Sequence, residues 1–106
     1  MQGRRVSVVV LTKNSIDTIQ SCLDSLIDQS VPATEIIVVD GGSTDGTLEL
    51  VKKYPVQLIE ENTNSIGYAR NLGVKNARGE IVFFLDSDCY CASDWIESIL
   101  PHFDRD

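Results

Sequence analysis

The sequence predicts an α/β protein with a Rossmann-like parallel sheet of about four strands and flanking helices. Three observations lead to this fold class. Four short runs are almost continuously apolar and rich in β-branched residues, which is typical of strands buried on both faces of a parallel sheet. Helical patterns of apolar residues separate the runs, so strand and helix alternate along the chain. Polar residues follow each run at its carboxyl end, where open α/β sheets bind ligands.

The first two predicted strands are residues 5–11 and 35–40. Between them, apolar residues three and four positions apart predict an amphipathic helix over 16–27. Asn14 or Ser15 can cap the start of this helix. Right-handed crossovers give the expected strand order 3-2-1-4, in which these two strands are central.

The second strand leads into a glycine-rich loop, residues 41–46, and a short helix that reaches Tyr54. Ser43 is the expected cap of that helix. The loop has the spacing Gly-x-x-x-x-Gly, but Thr47 stands where a phosphate-binding P-loop requires lysine, so we expect a tight turn. Residues 56–60 are the third predicted strand.

The last part of the chain continues the alternation. A helix is predicted over residues 65–76 from the apolar positions Ile66, Ala69, Leu72 and Val74. Residues 80–85 are the fourth strand, and a final amphipathic helix starts at residue 93 or 94. Pro101 is expected to bend or end it. This helix carries more apolar residues than one face over a small sheet needs, namely Trp95, Ile96, Ile99 and Phe103. The surplus predicts exposed apolar surface and a homodimer.

Composition is that of an ordinary globular protein. A chain of 106 residues forms one domain or part of one, and 42% hydrophobic with 24% charged residues argues against disorder. The net charge of −7 argues against a nucleic-acid partner, because phosphate binding needs clustered Lys and Arg. We find no membrane span or signal peptide and expect a cytoplasmic location, although a longer parent protein can still be membrane-associated. The three cysteines are expected to be reduced, structural thiols.

The sharpest candidate site is Asp86-Ser87-Asp88, directly after the fourth strand. Residues two apart on an extended chain point to the same side, about 6.6 Å apart. Two such carboxylates repel each other unless a cation or a ligand hydroxyl lies between them. Mg²⁺ and Mn²⁺ prefer oxygen ligands and share them with phosphates. A solvated loop is the alternative, but the position at a strand's carboxyl end favours a metal site.

Three other polar residues are candidates for binding a ligand. Asp40 ends the second strand and could accept a hydrogen bond from a base N–H or a ribose hydroxyl. Arg70 has a planar guanidinium that suits a diphosphate or a pyrimidine, although a surface arginine is the common alternative. Lys13 could serve similarly, or it could be solvated.

Four segments, in this order, resemble the family 2 glycosyltransferases of the GT-A fold. They are VSVVVLTKN at 6–14, IVVDGGSTDGT at 37–47, GYARNLG at 67–73 and GEIVFFLDSD at 79–88. No segment is decisive alone, but four in register are specific and extend over residues 6 to about 100. The resemblance implies that residues 1–106 are the donor-binding part of a truncated GT-A domain, which binds a nucleotide-diphosphate sugar, and that the acceptor-binding part is absent.

The resemblance also implies roles for individual residues. The donor-binding set is Thr12, Asn14, Asp40, Gly42, Arg70 and Asp86. Thr12 and Asp40 correspond to positions that hold the nucleoside, Asp40 typically at the base, and Arg70 to one near the base and diphosphate. Asp86 matches a position near the ribose and metal, and Asp88 the direct ligand of a Mn²⁺ or Mg²⁺ ion. Two positions depart from the pattern: Lys13 replaces a frequent Tyr that could stack on the base, and Gly41 replaces a second Asp.

Family members transfer the sugar to an acceptor by displacement with inversion, using a metal ion at the leaving diphosphate and a carboxylate base. No acid after Asp88 lies in a recognisable base motif, so the base is expected outside this chain and the isolated chain is expected to be inactive. The acceptor is not predicted. A stand-alone nucleotide-sugar-binding module is the main alternative. A sugar-phosphate nucleotidyltransferase is disfavoured because residues 11–17 lack glycine, and a phospho-accepting domain would need a fifth strand.

Overall fold

The computed structural model describes residues 5–63 and 65–103. In chain order the elements are β1 (Val6–Thr12), α1 (Ile19–Ile27), β2 (Glu35–Asp40), α2 (Thr47–Val51), β3 (Gln57–Glu60), α3 (Ile66–Asn76), β4 (Ile81–Asp86), α4 (Trp95–Ile99) and a 3₁₀ helix (Leu100–Phe103). All four predicted strands and all four predicted helices are present. Within the described residues, no helix combines the length and apolar character needed to cross a membrane.

The four strands form one sheet in the order β3-β2-β1-β4, and each neighbouring pair is parallel. This confirms the predicted order. In the register, Thr12 lies opposite Asp40 and Leu11 lies opposite Asp86. The carboxyl ends of β1, β2 and β4 therefore meet at one edge of the sheet, which brings their terminal side chains together.

Both faces of the sheet are covered, which explains the continuous apolar runs. One face packs against α1, α2 and α4 through a core that includes Val8, Val38, Phe83, Leu23, Val51 and Ile96. The opposite face packs against α3 through Val9, Ile37, Val39 and Ala69. Alternate residues of β1 and β2 point to opposite faces, so almost every position in these strands is buried.

Helix α3 lies very close to the sheet because its contact positions are small. Ala69 and Gly73 are buried four residues apart, and a Cβ added to Gly73 would lie 2.5 Å from Cγ1 of Val9. The predicted apolar face of this helix is wrong at two positions, since Ile66 is 72% exposed and Val74 is 49% exposed. Small residues, rather than the large ones, mark the side of α3 that packs on the sheet.

The predicted helix caps are also corrected. Helix α1 begins at Ile19 after a turn, and neither Asn14 nor Ser15 caps it with a side chain. The residue before α2 is Gly46, with φ of +98° and no side-chain cap, so Ser43 does not cap that helix. Helix α3 is capped as its sequence indicates: the Ser65 Oγ accepts a 3.1 Å hydrogen bond from the Tyr68 N–H.

The last helix closes on the core rather than leaving a surplus of apolar surface. Ile96 is fully buried, and the Trp95 ring lies 5.2 Å from the Phe83 ring between centroids. Ile99 also packs against the core, whereas Phe103 stays partly exposed beside Phe83. Of the four apolar residues, Ile96 is thus fully buried, Trp95 and Ile99 are partly buried, and Phe103 is exposed, so this helix leaves less apolar surface than the sequence predicted.

Candidate functional site

A cavity of about 410 Å³ opens at the carboxyl edge of the sheet, beside the start of α3. Its walls come from the ends of all four strands and from α3. The lining residues are Leu11, Thr12, Lys13, Val39, Gly41, Glu61, Ser65, Ile66, Ala69, Asp86, Ser87 and Asp88. Of the predicted site residues, the structure places Thr12, Lys13, Asp86 and Asp88 in this cavity, at the edge where the strand ends converge.

The Asp86–Asp88 segment is held by its middle residue. Ser87 is buried, and its Oγ lies 2.6 Å from the Oγ of Ser15, so the two hydroxyls share a hydrogen bond. This contact anchors the segment and leaves the carboxylates of Asp86 and Asp88 exposed on either side. One oxygen from each carboxylate and the Sγ of Cys89 all lie within 4.8 Å of one another. Such a donor set fits a divalent cation.

Thr12 is a buried hydroxyl that lacks a partner. The residue is only 5% exposed, and its Oγ1 makes no hydrogen bond with any described residue. A buried hydroxyl without a partner typically costs about 1–3 kcal/mol, so such groups are rare in native proteins. Thr12 lines the cavity, but its Oγ1 has almost no accessible surface, so the hydroxyl itself is closed off from the cavity.

Asp40 faces its own loop rather than the cavity. Its carboxylate is 1% exposed; Oδ2 accepts 2.9 Å hydrogen bonds from the N–H groups of Gly42 and Ser43, and Oδ1 accepts a 2.5 Å bond from the Ser43 hydroxyl. Gly42 has a φ of +99°, which only glycine adopts without strain. In this structure Asp40 and Gly42 therefore build the turn that shapes the wall formed by Gly41.

Asn14 ties the loops after β1 and β2 together. Its N–H donates a 2.8 Å hydrogen bond to the Ser43 Oγ, and its side-chain oxygen accepts a 2.7 Å bond from the Thr44 N–H. Asn14 has a φ of +51°, in the left-handed region that Asn tolerates better than most residues. Its observed contacts are structural, and it does not line the cavity.

Arg70 lies beside the cavity without lining it. It follows Ala69, which does line it, and its guanidinium lies 4.7 Å from the centre of the Phe84 ring. This cation–π contact keeps the charge on the side of the sheet that α3 covers. The side chain is exposed, so it can turn toward an anion without losing a buried interaction.

Glu61 is a cavity residue that sequence reasoning did not select. Its Oε1 accepts hydrogen bonds from the N–H and hydroxyl of Thr63, at 2.9 and 2.7 Å. Its Oε2 lies 3.4 Å from the position that a Cβ on Gly41 would occupy. The sequence feature that could have identified Glu61 is its position directly after the third strand. Ser65 and Ile66, at the start of α3, were likewise missed as cavity residues.

The three cysteines are free, and their surroundings differ. Burial raises the pKa of the Cys22 thiol to about 12, with nearby Cys91 and the site's acids adding to the effect. The half-buried Cys91 Sγ accepts a 3.3 Å hydrogen bond from the Gln29 side chain. Desolvation, together with the neighbouring Asp88 carboxylate, raises the pKa of the Cys89 thiol.

Comparison with known proteins assigns the fold to a family. The sequence profile of glycosyl transferase family 2 matches residues 7–106, nearly the whole chain. The chain belongs to this family. A poly(ribitol-phosphate) beta-glucosyltransferase of Bacillus spizizenii is 41% identical over 99 residues, which are 85% of this chain and 16% of that protein. The family 2 resemblance and the GT-A fold predicted from the four segments are thereby confirmed.

Two solved structures of other proteins are similar to this chain over most of its length. Staphylococcus aureus TarS 1–349 in complex with UDP superposes with a TM-score of 0.86 at 37% identity, over 94% of this chain and 32% of that one. The mannosyltransferase PcManGT of Pyrobaculum calidifontis, in complex with GDP-Man and Mn²⁺, gives a TM-score of 0.80 at 34% identity. That match covers 88% of this chain and 30% of PcManGT. This chain thus spans a third or less of these proteins.

Proposed function

We propose that this chain is the donor-binding part of an inverting glycosyltransferase and binds a nucleoside-diphosphate sugar together with a divalent cation. The observation that carries the proposal is the pair of exposed carboxylates, Asp86 and Asp88, at the rim of a cavity on the carboxyl edge of the sheet. Nucleotides bind at this edge in open α/β sheets generally. Relatives of the same fold bind UDP and GDP-Man, which supports a nucleotide-sugar ligand.

Charge explains why a cation belongs in this site. Three acids, Glu61, Asp86 and Asp88, line the cavity against one base, Lys13, so a diphosphate entering alone would meet an excess of like charge. A divalent ion held by Asp88 and Asp86 reverses that repulsion and shares its remaining positions with phosphate oxygens. When bound, Mn²⁺ or Mg²⁺ would offset the charge that develops on the departing diphosphate.

The remaining residues would orient the donor. Thr12 would lie against the nucleoside as part of the cavity wall. Arg70 would leave the Phe84 ring to meet the base or the diphosphate, for which its planar fork is suited. Asp40 would act mainly by holding the Gly42 turn. To contact the base directly, the Asp40 carboxylate would have to exchange its present hydrogen bonds to the loop for bonds to the base.

Calorimetry of UDP binding tests this proposal. Affinity should rise when Mn²⁺ replaces chelator, and Asp88→Asn should remove that increase because the ion loses its direct ligand. Asp28→Asn is the matched control, since Asp28 is an exposed acid outside the cavity. Equal UDP affinity with chelator and with Mn²⁺ would contradict the metal role.

We further propose that the isolated chain binds the donor but does not transfer the sugar at an enzymatic rate. Positioning an acceptor is worth roughly 7–11 kcal/mol of a reaction barrier, and a general base roughly 10²–10⁴-fold in rate. Neither role has a recognisable residue in the sequence after Asp88. Released nucleoside diphosphate is measured with nucleotide-sugars, Mn²⁺ and a panel of acceptors. Robust acceptor-dependent turnover would refute the claim.

Self-association is proposed through a different surface from the one the sequence suggested. The large exposed apolar residues of α3 are Ile66, Tyr68 and Val74. They belong to α3, the one described helix that packs on this face of the sheet, where Phe84 is also partly exposed. Light scattering at high protein concentration should give a mass above the monomer's 11.7 kDa. A monomer throughout would contradict the homodimer.

A further inference from the structure

The candidate metal site contains a thiol as well as two carboxylates. Cys89 directly follows Asp88, is exposed, and has its Sγ 3.5 Å from the Oδ1 of Asp88. We propose that Cys89 is a third protein ligand of the cation, which gives the site a preference for thiophilic ions over Mg²⁺. This inference rests on the metal role proposed above and specifies which ions the site selects.

The backbone brings the thiol to the carboxylates. The N–H of Cys89 donates a 3.0 Å hydrogen bond to the carbonyl oxygen of Asp86, which closes a four-residue turn after β4. The Ser87 hydroxyl fixes the middle of that turn to Ser15. Three donor atoms from a four-residue segment thus lie within 4.8 Å of one another on an anchored backbone.

The observed spacing suits a shared ion. With a metal–sulfur bond of about 2.3 Å and a metal–oxygen bond of about 2.1 Å, ligand angles of about 90–110° separate sulfur from oxygen by about 3.1–3.6 Å. The 3.5 Å between Cys89 and Asp88 falls in this interval. Asp86 is exposed, so rotation of its side chain can complete the set.

The cavity extends from the two carboxylates to the end of the neighbouring strand. Thr12 lines the same cavity as Asp86 and Asp88. A group that binds there would lie next to the carboxylate pair, because Thr12 ends the strand adjacent to β4.

The other two cysteines are engaged elsewhere. Cys22 is buried under the sheet, and the Cys91 Sγ contacts the Ser25 hydroxyl at 3.4 Å and the Gln29 amide at 3.3 Å. Among the described residues, the side chain of Cys89 has one hydrogen-bond partner, the carboxylate of Asp88. Of the three thiols, Cys89 is therefore the one positioned to bind an ion.

A thiolate changes which ion the site prefers. Two carboxylates alone suit Mg²⁺ and Mn²⁺, whereas a thiolate is a soft ligand that favours Zn²⁺, Cd²⁺ and Co²⁺ and gives nothing to Mg²⁺. As the bond from Sγ to the metal forms, the thiol proton leaves to solvent. The expected order of affinity is Cd²⁺ and Zn²⁺ above Mn²⁺, and Mn²⁺ above Mg²⁺.

The test is a Cd²⁺ titration of the 106-residue chain, followed by the ultraviolet charge-transfer band of a cadmium thiolate. The wild type should develop the band with one ion per chain. Cys89→Ser should lose the band and weaken Cd²⁺ binding on the order of 10–100-fold, with Mg²⁺ binding unchanged. Cys91→Ser is the matched control and should keep both the band and the affinity.

The outcomes separate this inference from the proposed function. If Mn²⁺ binds in an Asp88-dependent way but the cadmium band is absent, or persists in Cys89→Ser, the Cys89 assignment is wrong and the metal role stands. If Mn²⁺ binds wild type and Asp88→Asn equally weakly, the metal role falls, and the Cys89 assignment falls with it.

Discussion

Replacing Gly73 by alanine tests how closely α3 approaches the sheet. Alanine is the better helix former by about 0.8–1.0 kcal/mol, so propensity alone predicts stabilisation. The added Cβ, however, would lie 2.5 Å from Cγ1 and 3.1 Å from Cγ2 of Val9, which is fully buried in β1. Carbon atoms pack best at about 3.5–4.0 Å, so the helix or the strand must move by roughly 1 Å.

Overpacking of this kind costs about 1–3 kcal/mol, which exceeds the gain in helix propensity. We therefore expect Gly73→Ala to lower the free energy of unfolding by about 1 kcal/mol, measured by urea denaturation, and the melting temperature by roughly 4–8 °C. Gly67→Ala is the control in the same helix, because among the described residues its Cβ would meet only the Ser65 Oγ, at 3.9 Å. That variant should be as stable as wild type or slightly more stable.

The double mutant Val9→Ala/Gly73→Ala tests whether the clash with Val9 causes the loss of stability. Val9→Ala alone should destabilise the protein, since it removes two buried methyl groups worth about 0.8 kcal/mol each. Combined with Gly73→Ala, it should cost less than the sum of the two single variants, because the new methyl then has room. The reasoning is refuted if Gly73→Ala is no less stable than Gly67→Ala, or if the two substitutions are additive.

Three further predictions follow from buried polar groups. Thr12→Val should leave the melting temperature unchanged or raised, because it removes a buried hydroxyl that has no partner among the described residues; a lower melting temperature in thermal unfolding would contradict this. Asp40→Ala removes a buried carboxylate that accepts three hydrogen bonds, so it should lower the free energy of unfolding, measured by urea denaturation, by about 3 kcal/mol. A loss below about 1 kcal/mol would contradict this prediction. Burial opposes ionisation of Glu35, but hydrogen bonds from the Arg78 N–H and the Ser7 hydroxyl, with the Arg78 charge, outweigh it and lower the Glu35 pKa from its ordinary 4.5. Wild type should therefore be more stable than Glu35→Gln at neutral pH, and this difference in stability should shrink as the pH falls below 4.5. A difference in melting temperature that does not change with pH would contradict this prediction.

The fold was predictable because each strand is marked by local sequence. The Val and Ile runs of β1 and β2 reflect burial on both faces, and that burial follows directly from a parallel sheet with helices on each side. The ends of α1 and the packing side of α3 were not predictable. They depend on contacts between distant residues, such as Gly73 against Val9, which hydrophobic periodicity does not encode.

The candidate site, like the fold, was predictable from the sequence only in part. Asp86, Asp88 and Thr12 were predictable as cavity residues because the carboxyl ends of parallel strands meet at one edge. Asp40 satisfies the same rule but turns into its own loop, because the backbone N–H groups of Gly42 and Ser43 and the hydroxyl of Ser43 need an acceptor there. Whether a strand-end carboxylate faces a ligand or its own loop depends on the turn that follows.

The loops around the cavity are joined to one another across the sheet edge. The Asn14 side chain bonds to Thr44, the Ile16 N–H to Asp45, and the Ser15 hydroxyl to Ser87, so the segments after β1, β2 and β4 share one hydrogen-bonded rim. The conformational entropy of these loops is thus lost when the chain folds and not when a ligand arrives. A donor would meet a preorganised surface, and its association would resemble rigid docking more than loop closure.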